Sequence, residues 1–301
     1  MGFNSFEDRL NANIDRNREA KKREDSAHIF ETSPIIRAAY QKAHKVFAED
    51  SIKPEEFEDI YGEDIIKRDK ERVKELKTKF FEAGSAKIAA DILEAIILEQ
   101  TELADWFGPN ATTVKTNEFD DYVNGVDGVF EFNVNNPERP ASHMALAFDA
   151  TFATKDGPIE KKMNRIRDEI NRGQLATIKY FRSSDRRFHG KLSGVPRVIV
   201  GLEKDTIVEL ARLWVTGEKK ALAEHPAQRM ILEQVKRQLQ TFTEYAFNAN
   251  RKDLERAFAE PLAIVREIYA QKKDIPLGKL AHDRVNAEIL ARLDTFERRR
   301  P

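Results

Sequence analysis

Two acidic residues of this sequence lie where a surface charge is not expected. Asp149 stands inside the most apolar predicted strand, between Phe148 and Ala150. A carboxylate in such a strand is costly unless it is paired, protonated, placed at the strand end or bound to a cation. Asp127 begins the preceding predicted strand, after a turn containing Gly125 that could aim the carboxylate across the hairpin. The pattern therefore favours a site shared by the two carboxylates.

The predicted helix before this hairpin carries a further candidate. At about 100° per residue from Ala86, Glu99 falls at about 220°, inside the arc that Ile88 and Ile92 make apolar. Glu94 falls at about 80°, at the polar edge of the helix. Glu99 is thus the more unusual of the two, although Glu94 could also turn inward.

Carboxylates that converge from a hairpin and a packed helix suit a hard divalent cation. Mg²⁺ and Mn²⁺ prefer oxygen ligands and keep several waters, which a phosphodiester oxygen can replace. Such a metal stabilises charge on the phosphate and helps to generate hydroxide. The predicted ligands are Asp127, Asp149 and Glu99 or Glu94, with Asp121 as an additional one.

Each of these acids could instead have a purely structural role. Asp149 could lie at a strand end and bond to a loop amide, and Glu99 could pair with a lysine. Asp120, Asp121 and Asp127 belong to a glycine-containing turn, where aspartate is common for backbone reasons alone. It is the joint placement of the acids that favours a metal site.

Two groups of basic residues could contact a phosphate backbone. The first lies on the next predicted helix, directly after the acidic site, and consists of Lys161, Lys162, Arg165 and Arg172. The second surrounds a predicted hairpin near two phenylalanines and consists of Arg182, Arg186, Arg187 and Lys191. A solvated surface is the alternative for both groups. Lys161 or Lys162 could also reach the acidic site as the electrostatic partner of an attacking water.

The elements that must position these residues follow from hydrophobic periodicity. The predicted order is a helix opening at Ser33-Pro34, a helix over 63–107 broken near Gly84, strands over 112–114, 129–134 and 144–152, a helix over 157–173, strands over 176–181 and 197–202, a helix opened by a capping box of Thr206 and Glu209, and helices beyond Glu224. This order predicts an α/β fold with a mixed central β-sheet flanked by helices.

The same order divides the chain into three predicted segments. Residues 1–62 form an N-terminal helical arm, residues 63–222 the α/β core, and residues 223–301 a C-terminal helical extension. The two helical extensions could also mediate a homodimer or hold a protein partner.

The composition excludes several other classes of site. Lys and Arg number 51 against 52 Asp and Glu, so the net charge of -1 requires any basic surface to be local. The absence of cysteine excludes disulfides, thiolate zinc sites and cysteine nucleophiles. The motifs of phosphate loops, dinucleotide-binding folds, zinc proteases and serine hydrolases are also missing. Neither a signal peptide nor a membrane span is predicted, so we expect a soluble, cytoplasmic protein without membrane contact.

The hairpin resembles the core of the PD-(D/E)XK, or restriction-endonuclease-like, nuclease superfamily. The resemblance lies in Asp127-Gly-Val-Phe-Glu-Phe, then a loop, then Leu146-Ala-Phe-Asp149-Ala-Thr151. In that family an aspartate opens the second strand, and the third strand carries an acid, one intervening residue and a lysine. A glutamate on the preceding helix often completes the metal site. The resemblance implies that Asp127, Asp149 and Glu99 or Glu94 bind Mg²⁺ or Mn²⁺.

One position departs from the family pattern, because Thr151 stands where the lysine is expected. The leading hypothesis is a divalent-metal-dependent endo- or exonuclease, a hydrolase that cuts DNA or RNA and uses Lys161 or Lys162 in place of that lysine. The alternative is a catalytically inactive nuclease-like fold that binds a protein or a nucleic acid. A third possibility is a helical scaffold in which the sheet is only a platform.

Overall fold

The computed structural model describes residue 30 and residues 32–79, 84–132, 142–149 and 157–298. For residues 79, 142, 143, 145–149, 297 and 298 it describes the backbone alone. Residues 1–29 and 31 of the predicted N-terminal arm lie outside the described residues, as does Thr151.

The described chain is mostly helical and carries six strands. The helices are α1 (Pro34–Asp50), α2 (Glu58–Tyr61), α3 (Glu63–Lys79), α4 (Ser85–Leu103), α5 (Glu118–Tyr122), α6 (Pro158–Arg172), α7 (Lys204–Thr216), α8 (Lys219–Ala223), α9 (Ala227–Asn248), α10 (Lys252–Lys272) and α11 (Arg284–Arg298). The strands are β1 (Ala111–Lys115), β2 (Gly128–Phe132), β3 (Ser142–Asp149), β4 (Ala176–Arg182), β5 (His189–Val195) and β6 (Arg197–Gly201).

Four strands form the central sheet in the order β1-β2-β3-β6. The first three are antiparallel neighbours, whereas β6 runs parallel to β3. Parallel neighbours need a crossover connection. The chain makes it through α6 and then through β4 and β5, which pair as a separate two-stranded sheet. The predicted class, a mixed sheet flanked by helices, is confirmed at this level.

The helix α4 lies at the centre of the helical layer. Its residues from Ile92 to Leu98 are all buried, so the helix is covered around most of its circumference. It packs on α1, α7 and β1. The apolar side chains of α9, α10 and α11 belong to the same core, so the C-terminal helices pack with the sheet around one interior.

One predicted helix start is wrong. The pair Thr206 and Glu209 was expected to cap α7, but the helix begins at Lys204 and Thr206 lies within its first turn. The amide of Glu203 donates to Asp283 Oδ2 at 2.9 Å. The N-cap is thus Glu203, three residues earlier than the capping box indicates, and this long-range contact accompanies the earlier start.

The free edge of β6 is covered by a pair of fully buried glutamines, here called the glutamine seam (Gln234 and Gln238 of α9). The Gln238 amide accepts from Ile199 N at 2.8 Å and donates to Ile199 O at 2.7 Å. Gln234 makes the same two bonds to Gly201, at 3.1 and 2.8 Å. Four residues of helix rise about 6 Å and two residues of strand about 6.6 Å, so the two spacings match.

The glutamine seam therefore takes the place of a further strand beside β6.

Of the helices that the structure describes, none combines the length and the apolarity needed to cross a membrane.

Candidate acidic site and adjoining cleft

Four charged side chains meet where α4, β1, α5 and the start of β2 come together. They are called the acidic corner and consist of Glu94 of α4, Lys115 of β1, Asp121 of α5 and Asp127, which directly precedes β2. Three carboxyl groups and one ammonium group thus share a small volume beside the sheet.

Glu94 and Lys115 form a buried ion pair. The Lys115 Nζ lies 2.8 Å from Glu94 Oε1, and the side chains of Lys115 and Glu94 are only 10% and 6% exposed. The same ammonium donates to the backbone oxygen of Asp127 at 3.0 Å. Lys115 therefore joins the helix carboxylate to the turn that carries the second acid.

Asp121 and Asp127 are hydrogen-bonded to each other through their carboxyl groups. Two carboxyl groups can form such a bond only when one of them keeps a proton. Burial, then the charge of Asp127, raises the pKa of Asp121 to about 7. This pair therefore holds a proton at pH values where an ordinary aspartate has lost it.

Burial also raises the pKa of Glu94, to about 8, although Lys115 opposes the shift. Burial lowers the pKa of Lys115, but the charges of Glu94, Asp121 and Asp127 outweigh it and hold that pKa well above its usual range. The acidic corner thus contains more carboxyl groups than its single cation can keep ionised.

Backbone contacts fix the turn between Asp121 and Asp127. The Thr116 Oγ1 donates to Asp127 O at 2.9 Å, and Gly125 N donates to Asp121 O at 2.9 Å. Gly125 has a φ of 60°, and a Cβ at this position would collide with Arg165 Nη1. The positive φ favours glycine at this position, whereas the guanidinium end of Arg165 could move aside.

Asp120, the neighbour of Asp121, has a structural role. Its buried carboxylate accepts from the amides of Lys179 and Tyr180 at 2.7 and 3.0 Å and from Asn124 Nδ2 at 2.6 Å. These bonds tie α5 and the turn to β4. The structural alternative that the glycine-containing turn left open thus applies to this aspartate.

A cleft of about 540 Å³ lies on the other side of the same turn. This basic cleft runs between α6, the turn and the start of β4, and its charged and polar lining consists of Lys161, Arg165, Arg172, Arg197, Asp168, Glu169, Asn124, Asn164, Gln174 and Thr177. Arg197 is 3% exposed and donates to the backbone oxygens of Gly125 and Asn124. The carboxylate of Glu169 lies 3.1 Å from its Nη2.

Arg197 also connects the cleft to the acidic corner electrostatically. Burial lowers its pKa, and the charges of Glu169 and Asp127 oppose that shift. One wall, the turn around Gly125, therefore separates an acidic site from a basic cleft.

Of the two glutamates considered on α4, Glu94 joins the acidic corner and Glu99 does not. Glu99 Oε2 accepts from Trp214 Nε1 at 2.9 Å, and Lys42 Nζ lies 3.9 Å from its other oxygen. The apolar arc that singled out Glu99 faces α1 and α7. Because α4 is buried on nearly every side, the apolar neighbours of a residue do not reveal whether it faces the sheet or the other helices.

The backbone places Asp149 at the last residue of β3, where it pairs with Gly201. Leu146 pairs with Gly128, so β3 continues past the start of β2 toward the turn that carries Asp127. The side chain of Asp149 lies outside the described residues.

The predicted basic residues fall into two separate places. Lys161 and Arg165 line the cleft, and Lys162 is half-buried on the same helix. The hairpin group lies elsewhere: Arg182 pairs with Glu56, Arg187 Nε lies 3.5 Å from Asp185, and Arg186 and Lys191 are exposed. Of the residues predicted to contact a phosphate backbone, Lys161, Arg165 and Arg172 line the basic cleft.

Sequence reasoning missed two cations, Lys115 and Arg197. Lys115 ends the strand Ala-Thr-Thr-Val-Lys, and Arg197 opens the strand Arg-Val-Ile-Val-Gly. A charged residue in an apolar strand was the signal that singled out Asp149. Applied to cations as well as acids, the same signal would have found Arg197, whereas Lys115 lies one residue beyond the strand predicted over 112–114.

The donor atoms of the acidic corner are of the kind that Mg²⁺ and Mn²⁺ prefer, since Glu94, Asp121 and Asp127 offer oxygens alone. In this structure Asp121 is hydrogen-bonded to Asp127, and Lys115 is paired with Glu94. Among the side chains that the structure describes, no three His, Asp or Glu residues are arranged as metal ligands. Comparisons with protein-family models, with curated proteins and with solved structures find no match for this chain.

Proposed function

We propose that the chain is a divalent-metal-dependent nuclease, a hydrolase that cuts phosphodiester bonds in DNA or RNA. The observation that carries this proposal is the acidic corner, in which three carboxyl groups and a lysine meet beside a basic cleft. Metal ligands and phosphate-binding cations next to each other are what hydrolysis of a phosphodiester requires.

The order of the elements supports the same proposal. A helix that supplies Glu94 precedes three antiparallel strands, Asp127 opens the second strand, Asp149 ends the third, and α6 packs against β3 and β6. This is the order that the resemblance to the PD-(D/E)XK superfamily implies. We therefore propose a restriction-endonuclease-like core over α4 to α7.

In this proposal Glu94, Asp127 and Asp149 hold the metal, with Asp121 as an additional ligand. A bound Mg²⁺ or Mn²⁺ would stabilise charge on the phosphate and lower the pKa of a water. Lys115 supplies the cationic group that Thr151 cannot supply. Its ammonium already contacts Glu94 and the backbone of Asp127, so it can orient the carboxylates and favour negative charge on the attacking water.

The energetics of the acidic corner argue against a purely structural role. A buried ion pair needs one acid for each base, and extra buried carboxyl groups only add a cost of desolvation. Here Asp121 and Asp127 crowd a pair that Glu94 already completes. Buried acids with strongly raised pKa values are typical of functional sites.

The test is a cleavage assay with Mg²⁺ or Mn²⁺ on single-stranded DNA, duplex DNA and RNA. Asp127→Asn, Asp149→Asn and Glu94→Gln should each lower the rate about 100-fold or more, because each removes a charged ligand. Glu99→Gln is the matched control on the same helix and should cut normally. Unfolding midpoints of all variants check that the fold is kept.

A second outcome would favour the nuclease-like binding module. If no substrate is cut and calorimetry detects no metal binding, the proposed activity is wrong. If the chain nevertheless binds an oligonucleotide, it is a nuclease-like binding module, and Lys115 serves only to neutralise Glu94. The scaffold hypothesis has less support, because Phe247 is the one large apolar side chain beyond Glu224 that is exposed among the described residues.

A further inference from the structure

The basic cleft contains a buried cation whose charge is incompletely compensated. Arg197 Nε is buried and has no hydrogen-bond partner among the described residues, and its two Nη atoms bond to two neutral carbonyl oxygens and to Glu169. Glu169 is shared with Arg165, whose Nε lies 3.5 Å from the same carboxylate oxygen. One carboxylate thus serves two guanidinium groups, which leaves positive charge for an anion.

The remaining cations of the cleft form a row along α6. Lys161, Arg165 and Arg172 lie on one face of this helix, and a separation of four residues corresponds to about 6 Å. The lining holds four cations against two acids, Asp168 and Glu169. A row of cations suits an extended polyanion better than a single small anion.

We propose that the basic cleft binds the sugar-phosphate backbone of a single-stranded nucleic acid along α6, and that this strand leads past the Gly125 turn into the acidic corner. This inference rests on the proposed nuclease function and assigns its substrate class. Arginine recognises phosphate with paired hydrogen bonds. The amides of Asn124, Asn164 and Gln174 add neutral groups that can bond to sugars and bases.

The dimensions of the cleft favour a single strand over a duplex. A volume of about 540 Å³ is in the range of sites that hold a small organic ligand, which corresponds to one or two nucleotides. The turn and the start of β4 wall the cleft on the side opposite α6. A double helix would have to lie across its rim, out of reach of the buried Arg197.

The test measures binding of labelled single-stranded DNA, RNA and duplex in EDTA, where a metal-dependent enzyme does not cut. The double variant Lys161→Gln/Arg165→Gln removes two exposed cations of the cleft. The matched control Lys252→Gln/Arg256→Gln removes the same residue types, at the same spacing, from exposed positions of α10. Only the cleft variant should bind single strands about tenfold more weakly.

Salt dependence gives a second readout. The slope of log affinity against log salt should fall by about 0.7 for each phosphate of a single strand that the variant no longer neutralises. Equal decreases in the affinity of both double variants, an unchanged slope in the cleft variant or equal affinity for duplex would contradict the inference. Competition by polyglutamate as effective as that by unlabelled oligonucleotide would also contradict it and indicate an acidic peptide.

The two proposals can fail separately. If Asp127→Asn abolishes cutting while the cleft variant binds normally, the nuclease function holds and the cleft inference is wrong. If the cleft variant no longer binds while the unaltered chain cuts no substrate, the cleft binds single strands and the nuclease function is wrong.

Discussion

The molecule buries polar side chains in two contrasting places, the glutamine seam and the acidic corner. In the seam, Gln234 and Gln238 are neutral, and each amide group meets a backbone partner on β6. In the acidic corner, three carboxyl groups crowd around Lys115, and burial raises the pKa values of Glu94 and Asp121 to about 8 and about 7.

The polar groups of the seam stabilise the fold because each has its hydrogen-bond partner, whereas the crowded acids of the corner lower the stability of the folded state. A buried hydrogen bond with both partners present contributes modestly, and it costs far more when one partner is removed. Buried charges without full compensation destabilise the folded state and are kept where chemistry needs them. Mutations in the seam should therefore change the free energy of unfolding by the same amount at every pH and with or without metal. The contribution of the acidic corner to that free energy should depend on pH and on metal.

The largest effect is expected for Lys115→Met, which removes the cation of the acidic corner. The free energy of unfolding should fall by about 3–5 kcal/mol at pH 8, because Glu94 is left buried without its partner. At pH 5 the decrease should be smaller, since the acids can take up protons. Urea unfolding at both pH values measures this. Equal decreases at the two pH values would show that packing, and not charge, dominates the site.

The double variant Glu94→Gln/Lys115→Met is the control for that experiment. It removes both charges of the pair and should recover most of the missing stability. Cleavage should remain about 100-fold or more below that of the unaltered chain, because the double variant lacks both a ligand and the ammonium group.

The seam gives the next effect. Gln238→Leu leaves the amide and carbonyl of Ile199 buried without partners, so the free energy of unfolding should fall by about 2–4 kcal/mol. The decrease should be the same at pH 5 and pH 8, with or without Mg²⁺. Gln240→Leu, on the partly exposed side of the same helix, should cost less than about 0.5 kcal/mol. If the decrease in the free energy of unfolding of Gln238→Leu differed between pH 5 and pH 8, the proposed difference between the two regions would be wrong.

A smaller effect is expected when pH alone is changed. The folded-state pKa values of Asp121 and Glu94, about 7 and about 8, lie above the unfolded values of about 3.9 and 4.3. The native state therefore binds more protons between these limits, and stability should fall as pH rises from about 4 to about 8. In EDTA, the free energy of unfolding of the unaltered chain should fall by about 1–2 kcal/mol more than that of Asp121→Asn between pH 5 and pH 8.

Added Mg²⁺ should reverse that decrease at pH 8, because a cation binds the deprotonated acids. Thermal unfolding of both proteins, with EDTA and with Mg²⁺, measures the difference. Parallel pH profiles for the unaltered chain and Asp121→Asn would mean that Asp121 titrates as an ordinary surface aspartate.

The sequence was most informative where the hydrophobic period was strong. Hydrophobic periodicity predicted α4, β2 and α6 correctly. Other features depend on interactions between residues that are distant in the sequence, and local patterns did not predict them. A contact with Asp283 accompanies the earlier start of α7, and no local pattern indicated that two glutamines of α9 would cover β6.

The sequence predicted a cluster of acids at this place, but it did not identify every residue of the cluster. Asp127 and Asp121 stood out by type and position, and they meet in the structure. Periodicity could not choose between Glu94 and Glu99, because that choice depends on which neighbour each face of α4 contacts. Arg197 was overlooked because acids alone had been searched for in apolar strands, and Lys115 because it lies one residue beyond the predicted strand.

The smallest effect is expected for Glu99→Gln, the same chemical change as Glu94→Gln five residues further along α4. An amide oxygen can still accept the hydrogen bond from Trp214, and Lys42 at 3.9 Å is a partly exposed partner whose removal costs little. The free energy of unfolding should fall by less than about 1 kcal/mol, and cleavage should stay within about twofold. Parallel urea unfolding and cleavage assays of the two variants measure this. A decrease in cleavage by Glu99→Gln as large as that by Glu94→Gln would move the site toward α7. It would also break the assignment of the acidic corner, because Glu99 contacts none of its side chains directly in the described structure.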